Sequence, residues 1–246
     1  DRSPSRGLGD VYKRQFIMLN DFLESVTQDD LKNGKIILID KPIEWTSFDV
    51  VKYIRKSLQA RLKVKKIKVG HAGTLDPLAT GLLIICIGKE TKNISKYQDL
   101  SKKYTGIIKL GETTPSYDRE TEINGTYDYN HVDENKVLKI SKTFIGKQKQ
   151  LPPIYSALKK DGKRMYKYAR ENIEIEIEPR EIEIYDFEIL NFSAPYIEFV
   201  IKCSKGTYIR SIANDYGQKL NSGSHLYELK RISIGDFSIS DALRFK

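Results

Sequence analysis

The chain has 246 residues and a formal charge of +9, with 42 lysines and arginines against 33 acids, which is length enough for a packed core and a balance that favours a polyanionic partner. Two cysteines and three histidines are too few for a disulfide framework or a zinc cluster, and no apolar run approaches the length that spans a membrane. No signal peptide is visible, so a cytoplasmic protein with buried, reduced thiols at Cys86 and Cys203 is expected.

Residues 1–17 look foreign to the rest. Asp10-Val11-Tyr12-Lys13-Arg14-Gln15 reads as translated sequencing adapter, so 1–17 is expected to be a non-native or disordered extension, with Met18 as the start and 18–246 as a single domain. Gly34 to Pro42 reads as a strand entering a turn. Trp45-Thr46-Ser47 then opens an amphipathic helix, with Ser47 as the expected N-cap and Val50, Ile54 and Leu58 on one face. Between Val51 and Gly70 stand Lys52, Arg55, Lys56, Arg61, Lys63, Lys65, Lys66 and Lys68 without one acid. This is the footprint of a polyanion partner, although a solvated surface has the same composition.

Lys66 to Val69 alternates like a half-buried strand, and Leu82 to Ile87 is apolar throughout, like a strand covered on both faces. The run from Val69 to Gly81 between them is a shaped loop in which Gly70, Gly73 and Gly81 permit positive φ and Pro77 holds Asp76 extended. A glycine-rich loop on a rigid scaffold is where catalytic groups sit. By local chemistry alone, however, Asp76 serves equally as a turn cap and His71 as a structural histidine.

Lys89 to Leu100 is predicted helical, and Lys102 to Gly111, which carries Tyr104, is a predicted strand. After a loop from Thr113 to Glu120, a polar helix is expected over His131 to Phe144, then an extended passage through Pro152-Pro153 and a short helix over Tyr166 to Arg170. Ile173 to Glu178 and Glu181 to Ile184 alternate strictly and are predicted as strands whose glutamates form a solvent face turned away from the polyanionic partner. Tyr196 to Ser204 is another predicted strand. The following helix carries Ile209, Ile212, Ala213, Tyr216 and Leu220 on one stripe, with Arg210 off it.

Gly70 to Leu83 reads G-H-A-G-T-L-D-P-L-A-T-G-L-L, and Gly88 to Lys92 reads G-K-E-T-K. Together they closely resemble the catalytic motif of the TruB family of tRNA pseudouridine synthases. Asp40-Lys41-Pro42, Trp45 to Val51, the K-x-Y triplet ending at Tyr104, the K-G-T-Y-I-R string ending at Arg210 and the block from His225 to Arg231 match further family blocks, so the resemblance covers Gly34 to Arg231. It implies an α+β pseudouridine synthase fold, a curved mixed β-sheet with flanking helices and a catalytic cleft. It also implies isomerisation of uridine 55 in the T-arm stem-loop of tRNA, with Asp76 as catalytic carboxylate and Tyr104 and Arg210 beside it. His71, Tyr208 and Leu229 become candidate substrate contacts, and Lys63, Lys65, Lys66 and Lys92 candidate RNA contacts. A monomer of the short form, without a C-terminal RNA-binding domain, is expected. The Thr113 to Glu120 loop departs from the family pattern, because Pro115-Ser116 interrupts it and no glycine follows Asp118 at the family's usual distance, so no role is carried to Asp118.

The reaction breaks a glycosidic bond, turns the base and joins C5 to the sugar, so no nucleotide, metal or redox cofactor is demanded, and no fingerprint for one is present in the sequence. A carboxylate either attacks or draws a proton from C2′. A carboxylate kept ionised in a dry pocket calls for a guanidinium, and Arg210 is the candidate. The uridine must be flipped out of its loop. Tyr104 is expected to stack on it, Leu229 to press its other face, Tyr208 to orient the site and His71 to fill the space left in the RNA. A synthase for another RNA, or a silent RNA-binding or tRNA-folding protein, are the rival readings.

Overall fold

In the computed structural model, which describes residues 18–156, 158–160, 162–171, 173 and 175–245, helices α1 (Leu19–Ser25) and α2 (Gln28–Asn33) lead into β1 (Lys35–Lys41). The expectation for 1–17 lies outside the described residues. Helix α3 (Ser47–Leu62) is capped by Thr46 and not by Ser47: the Thr46 hydroxyl accepts the Asp49 N–H at 3.0 Å, and the Asp49 carboxylate accepts the Thr46 N–H at 3.0 Å. Val50, Ile54 and Leu58 are fully buried as their spacing requires, and Ile54→Ala would cost about 2–5 kcal/mol.

Strand β2 (Val69–His71) starts where the predicted strand ends, which leaves Lys66 and Lys68 before the ladder. Strand β3 (Ala79–Ile87) is antiparallel to both β1 and β2. Its Leu83, Ile85 and Ile87 join the core built with α1 and α3, while Leu82, Ile84 and Cys86 join a second core with Ile234 and Ala242. Covering both faces removes any reason for alternation, which is why this strand is apolar throughout.

A 3₁₀ turn (Gly88–Asn93) and α4 (Ile94–Asp99) stand where one helix was predicted. There follow β4 (Lys102–Leu110), the short pair β5 (Glu112–Thr113) and β6 (Gly125–Thr126), α5 (Glu134–Lys142) and β7 (Gly146–Gln150). Next come the small hairpin of β8 (Lys159–Lys160) and β9 (Lys163–Arg164), α6 (Met165–Arg170), β10 (Arg180–Ser193), β11 (Tyr196–Cys203), α7 (Ile209–Leu220), β12 (Ser224–Ile234) and β13 (Phe237–Ser238).

The described residues of the predicted strand Ile173 to Glu178 carry no ladder; Glu174 lies outside the described residues. Ile175 and Ile177 are half-buried and Glu176 and Glu178 exposed, as the alternation demands, yet pairing with β7 starts only at Arg180 opposite Gln150. Past Gln150 the partner strand reaches Pro152 and Pro153, which have no N–H to offer.

The main sheet runs β1-β3-β12-β4-β11-β10-β7, with β2 on β3 and β13 on β12. All pairs are antiparallel except β3–β12, so the sheet is mixed and the α+β expectation holds. Helices α5 and α7 cover β4, β11 and β10 through Ile108, Phe187 and Phe199, with Phe144 stacked on Tyr216 at 5.7 Å. Two bulges in β10, between Ile184 and Asp186 and between Ile189 and Asn191, bend that half of the sheet. Cys86 and Cys203 are both buried and unpaired, and no helix among the described residues is long and apolar enough to cross a membrane.

Candidate active site

Between β2 and β3 the chain turns through Ala72 to Leu78, and four separate elements hold this loop. The buried Ser47 hydroxyl accepts the Leu75 N–H at 2.8 Å and donates to the Leu75 carbonyl at 3.1 Å, one residue before Asp76. The Glu44 N–H donates to the Pro77 carbonyl at 2.8 Å. Lys41, wholly buried, donates to the carbonyls of Trp45, Pro42 and Pro77 at 2.6, 2.8 and 3.2 Å. Burial pulls the Lys41 pKa down to about 8, with Asp76 acting in the opposite sense.

The fourth anchor is Arg231, which sequence reasoning did not single out. It is 1% exposed, and its guanidinium donates to the carbonyls of Leu82 at 2.7 Å, Gly73 at 3.0 Å and Thr74 at 3.4 Å. Gly81, at φ +102°, makes this approach possible: a Cβ there would meet the Arg231 carbonyl at 2.3 Å. In register, Arg231 stands opposite Gly81 on β3 and opposite Tyr104 on β4. Tyr104 is buried, which lifts its hydroxyl pKa, while Arg231 pulls the other way. Burial, and then Arg231, lower the His71 pKa, so its ring is neutral at pH 7, and its buried Nδ1 has no hydrogen-bond partner among the described residues.

Arg210 enters from the first turn of α7, with its side chain 4% exposed. Its Nε lies 2.9 Å from Asp76 Oδ2 and 3.5 Å from Asp118 Oδ2, and its Nη1 donates to the Ser116 carbonyl at 3.0 Å. Asp118, to which the sequence reading gave no role, is therefore a second carboxylate on the same guanidinium. The Asp118 Oδ1 accepts from Ser116 Oγ at 2.6 Å and from the Glu120 N–H at 2.9 Å. Between Ser116 and Asp118, Tyr117 sits at φ 64°, a left-handed conformation that a bulky residue adopts only where its surroundings impose it. Gln150, 3% exposed, sets the start of α7 by accepting the Tyr208 N–H at 2.8 Å and donating to the Tyr208 carbonyl at 3.0 Å. Helix α7 is buried on most of its surface, Arg210 included, so the predicted single stripe was too narrow.

These pieces enclose a cleft of about 570 Å³ lined by Gly73, Thr74, Asp76, Tyr104, Tyr208, Arg210, Leu229 and Arg231. Asp76, with its side chain 39% exposed, is the open face of the ion pair. Further along the wall stand Lys102, whose pKa burial pulls down to about 8, and Lys205, paired with Asp99 at 2.9 Å. Glu181 also reaches this wall, whereas the glutamates of its strand were expected to face away. Asp76, Tyr104, Tyr208, Arg210 and Leu229 are thus brought together. His71 at the end of β2, Lys63 as the left-handed C-cap of α3, Lys65 and Lys66 after it, and Lys92 in the 3₁₀ turn do not line the cleft; the four lysines are exposed. The arrangement offers an accessible carboxylate oriented by a buried guanidinium, with a ring and an aliphatic side chain lining the space beside it.

A solved Cbf5–Nop10–Gar1 complex superposes with a TM-score of 0.63 at 27% identity, over 88% of this chain and 53% of that one. An H/ACA RNP bound to a substrate RNA containing 2′-deoxyuridine shares the fold with a TM-score of 0.62 at 24% identity, over 90% of this chain and 54% of that one. The chain spans about half the length of those solved chains. Residues 56–209 match the TruB family pseudouridylate synthase (N terminal domain). The proteins named tRNA pseudouridine synthase B from Flavobacterium johnsoniae and Bacteroides fragilis are 50% and 48% identical, covering 89% and 87% of this chain and 96% and 92% of their own lengths. The chain belongs to the TruB family of pseudouridylate synthases.

Proposed function

We propose that this protein isomerises uridine 55 in the T-arm stem-loop of tRNA to pseudouridine, with Asp76 as the catalytic carboxylate. The observation that carries the reading is the Asp76–Arg210 pair at 2.9 Å, one side open to the cleft and the other backed by Asp118. The curated relatives carry tRNA pseudouridine synthase in their names, which supports tRNA as the substrate.

The flipped uridine enters between Tyr104 and Leu229. Asp76, oriented by Arg210, acts at the sugar or the base: the C1′–N1 bond breaks, the base turns in place, the C1′–C5 bond forms, and C5 loses the proton that N1 gains by exchange with solvent. Tyr104 holds the base plane in a pocket where burial keeps its hydroxyl protonated. Arg231 and Lys41 keep the loop carbonyls fixed while the base turns, so the carboxylate stays in place through both bond changes. His71 enters the gap that the flipped nucleotide leaves, and Lys63, Lys65, Lys66 and Lys92 contact phosphate outside the cleft. The enzyme works as a monomer in the cytoplasm, where its tRNA substrate is found.

The test is product mapping. The protein is incubated with unmodified total RNA and pseudouridine is located at nucleotide resolution. A single new site in tRNA T-arms is expected; sites confined to ribosomal RNA, or none, would overturn the reading.

A further inference from the structure

The catalytic loop is tied to the first turn of α3 through Ser47, and the next residue faces outward. Phe48 is 58% exposed, and Ile43, beside the Glu44 whose N–H holds Pro77, is 49% exposed. A lone exposed apolar side chain is ordinary on a protein surface. Phe48 is not alone, because the Arg55 guanidinium lies 5.9 Å from its ring centroid and is itself anchored by donating to the Val69 carbonyl at 2.9 Å. Lys52 lies between them at helical spacing and is exposed, so Phe48, Lys52 and Arg55 share one face. The acid of that first turn, Asp49, keeps its charge while bound to Thr46 and acts on Lys52, so Lys52 and Arg55 together exceed it by one positive charge on this face.

An aromatic face backed by a fixed guanidinium, with an exposed lysine on the same helix face, matches a flat base on a polyanionic backbone. An apolar peptide would gain nothing from the cations, and a duplex would offer the ring no free base. Resting on the substrate reading above, we propose that Phe48 is a stacking platform for an unpaired nucleobase of the substrate RNA other than the isomerised uridine, with Lys52 and Arg55 holding the adjacent phosphates. The platform lies one residue from Ser47, so docking a second base there fixes the RNA loop against the segment that carries Asp76.

The test is a binding cycle with a labelled T-arm stem-loop RNA at fixed salt. Phe48→Ala is expected to weaken binding about tenfold, the size of one lost stacking contact, while Phe48→Tyr stays within about twofold of the parent. Stem-loops with an abasic nucleotide at each loop position in turn then identify the partner: on one of them the parent is weakened and Phe48→Ala adds no further loss. Phe48→Ala binding as the parent does, or losing the same factor on every abasic RNA, would overturn the proposal. Pseudouridine formation by the parent is followed on the same RNA. Its absence would count against the substrate reading, whereas its presence with an unaffected Phe48→Ala would count against the platform alone.

Discussion

Asp118→Asn removes one of the two negative charges facing the Arg210 guanidinium and keeps the side chain's volume. The amide oxygen can still accept from Ser116 Oγ and the Glu120 N–H, which now sit at 2.6 and 2.9 Å from Oδ1, so the turn should survive. What is lost is the contact at 3.5 Å between Oδ2 and Arg210 Nε. Removing one partner of a buried charge costs roughly 3–5 kcal/mol when the charge is left alone. Arg210 keeps Asp76 at 2.9 Å and the Ser116 carbonyl at 3.0 Å, so a smaller loss, about 1–3 kcal/mol, is expected. The rate should suffer more than the fold. With a single carboxylate left, the guanidinium settles towards Asp76, and a displacement on the order of 1 Å at a reacting group costs about 100-fold. Single-turnover pseudouridine formation with saturating enzyme should fall by roughly 10- to 100-fold. Binding of the T-arm RNA should change little, because Asp118 is 5% exposed and lies behind Arg210. A rate within twofold of the parent, or a loss of binding as large as the loss of rate, would refute the argument that Asp118 acts through Arg210.

Arg231→Lys keeps the charge but cannot span the Leu82, Gly73 and Thr74 carbonyls at once; kcat should fall at least about tenfold with little change in KM, and an unchanged kcat would show that the loop does not need this clamp. Lys41 has a folded pKa of about 8 against an ordinary 10.5, so the folded protein gives up this proton first and the cost of the buried charge is relieved as pH rises. The stability of the parent relative to Lys41→Met should therefore increase between pH 8 and 10 by roughly 1 kcal/mol per pH unit in denaturant titrations, and a flat difference would contradict the burial argument. Replacing Lys63, Lys65 and Lys66 together by alanine should flatten the dependence of log affinity on log salt, whereas an unchanged slope would mark them as ordinary solvated surface.

Local rules were legible where one segment decides its own structure. The unbroken apolar run of β3, the buried stripe of α3 and the glycine-rich turn at Asp76 follow from spacing and backbone freedom. The cap of α3 was also legible once the reciprocal bond is considered: Asp49 lies three residues after Thr46, whereas Val50 stands in that place for Ser47. The described residues of Ile173 to Glu178, which carry no ladder, show the limit of alternation, because a strand also needs a partner able to donate, and Pro152-Pro153 ends that partner. The contributions of Asp118, Gln150 and Arg231 are long-range. Arg210 reaches Asp76 across 134 positions and Ser116 across 94, and Arg231 reaches Leu82 across 149, so no local pattern marks them. A weaker sign was available for Arg231, since an arginine inside a strand block must satisfy five donors wherever it is buried.

The central claim is that the Asp76 carboxylate performs the chemistry. Asp76→Asn preserves shape, and Arg210 keeps Asp118 as its counter-charge, so the variant should fold and bind T-arm RNA with affinity close to the parent. The measurement is single-turnover pseudouridine formation with saturating enzyme, run beside a binding titration on the same RNA. The account predicts bound RNA and no detectable pseudouridine; turnover near the parental rate would contradict it and return Asp76 to the part of a turn cap.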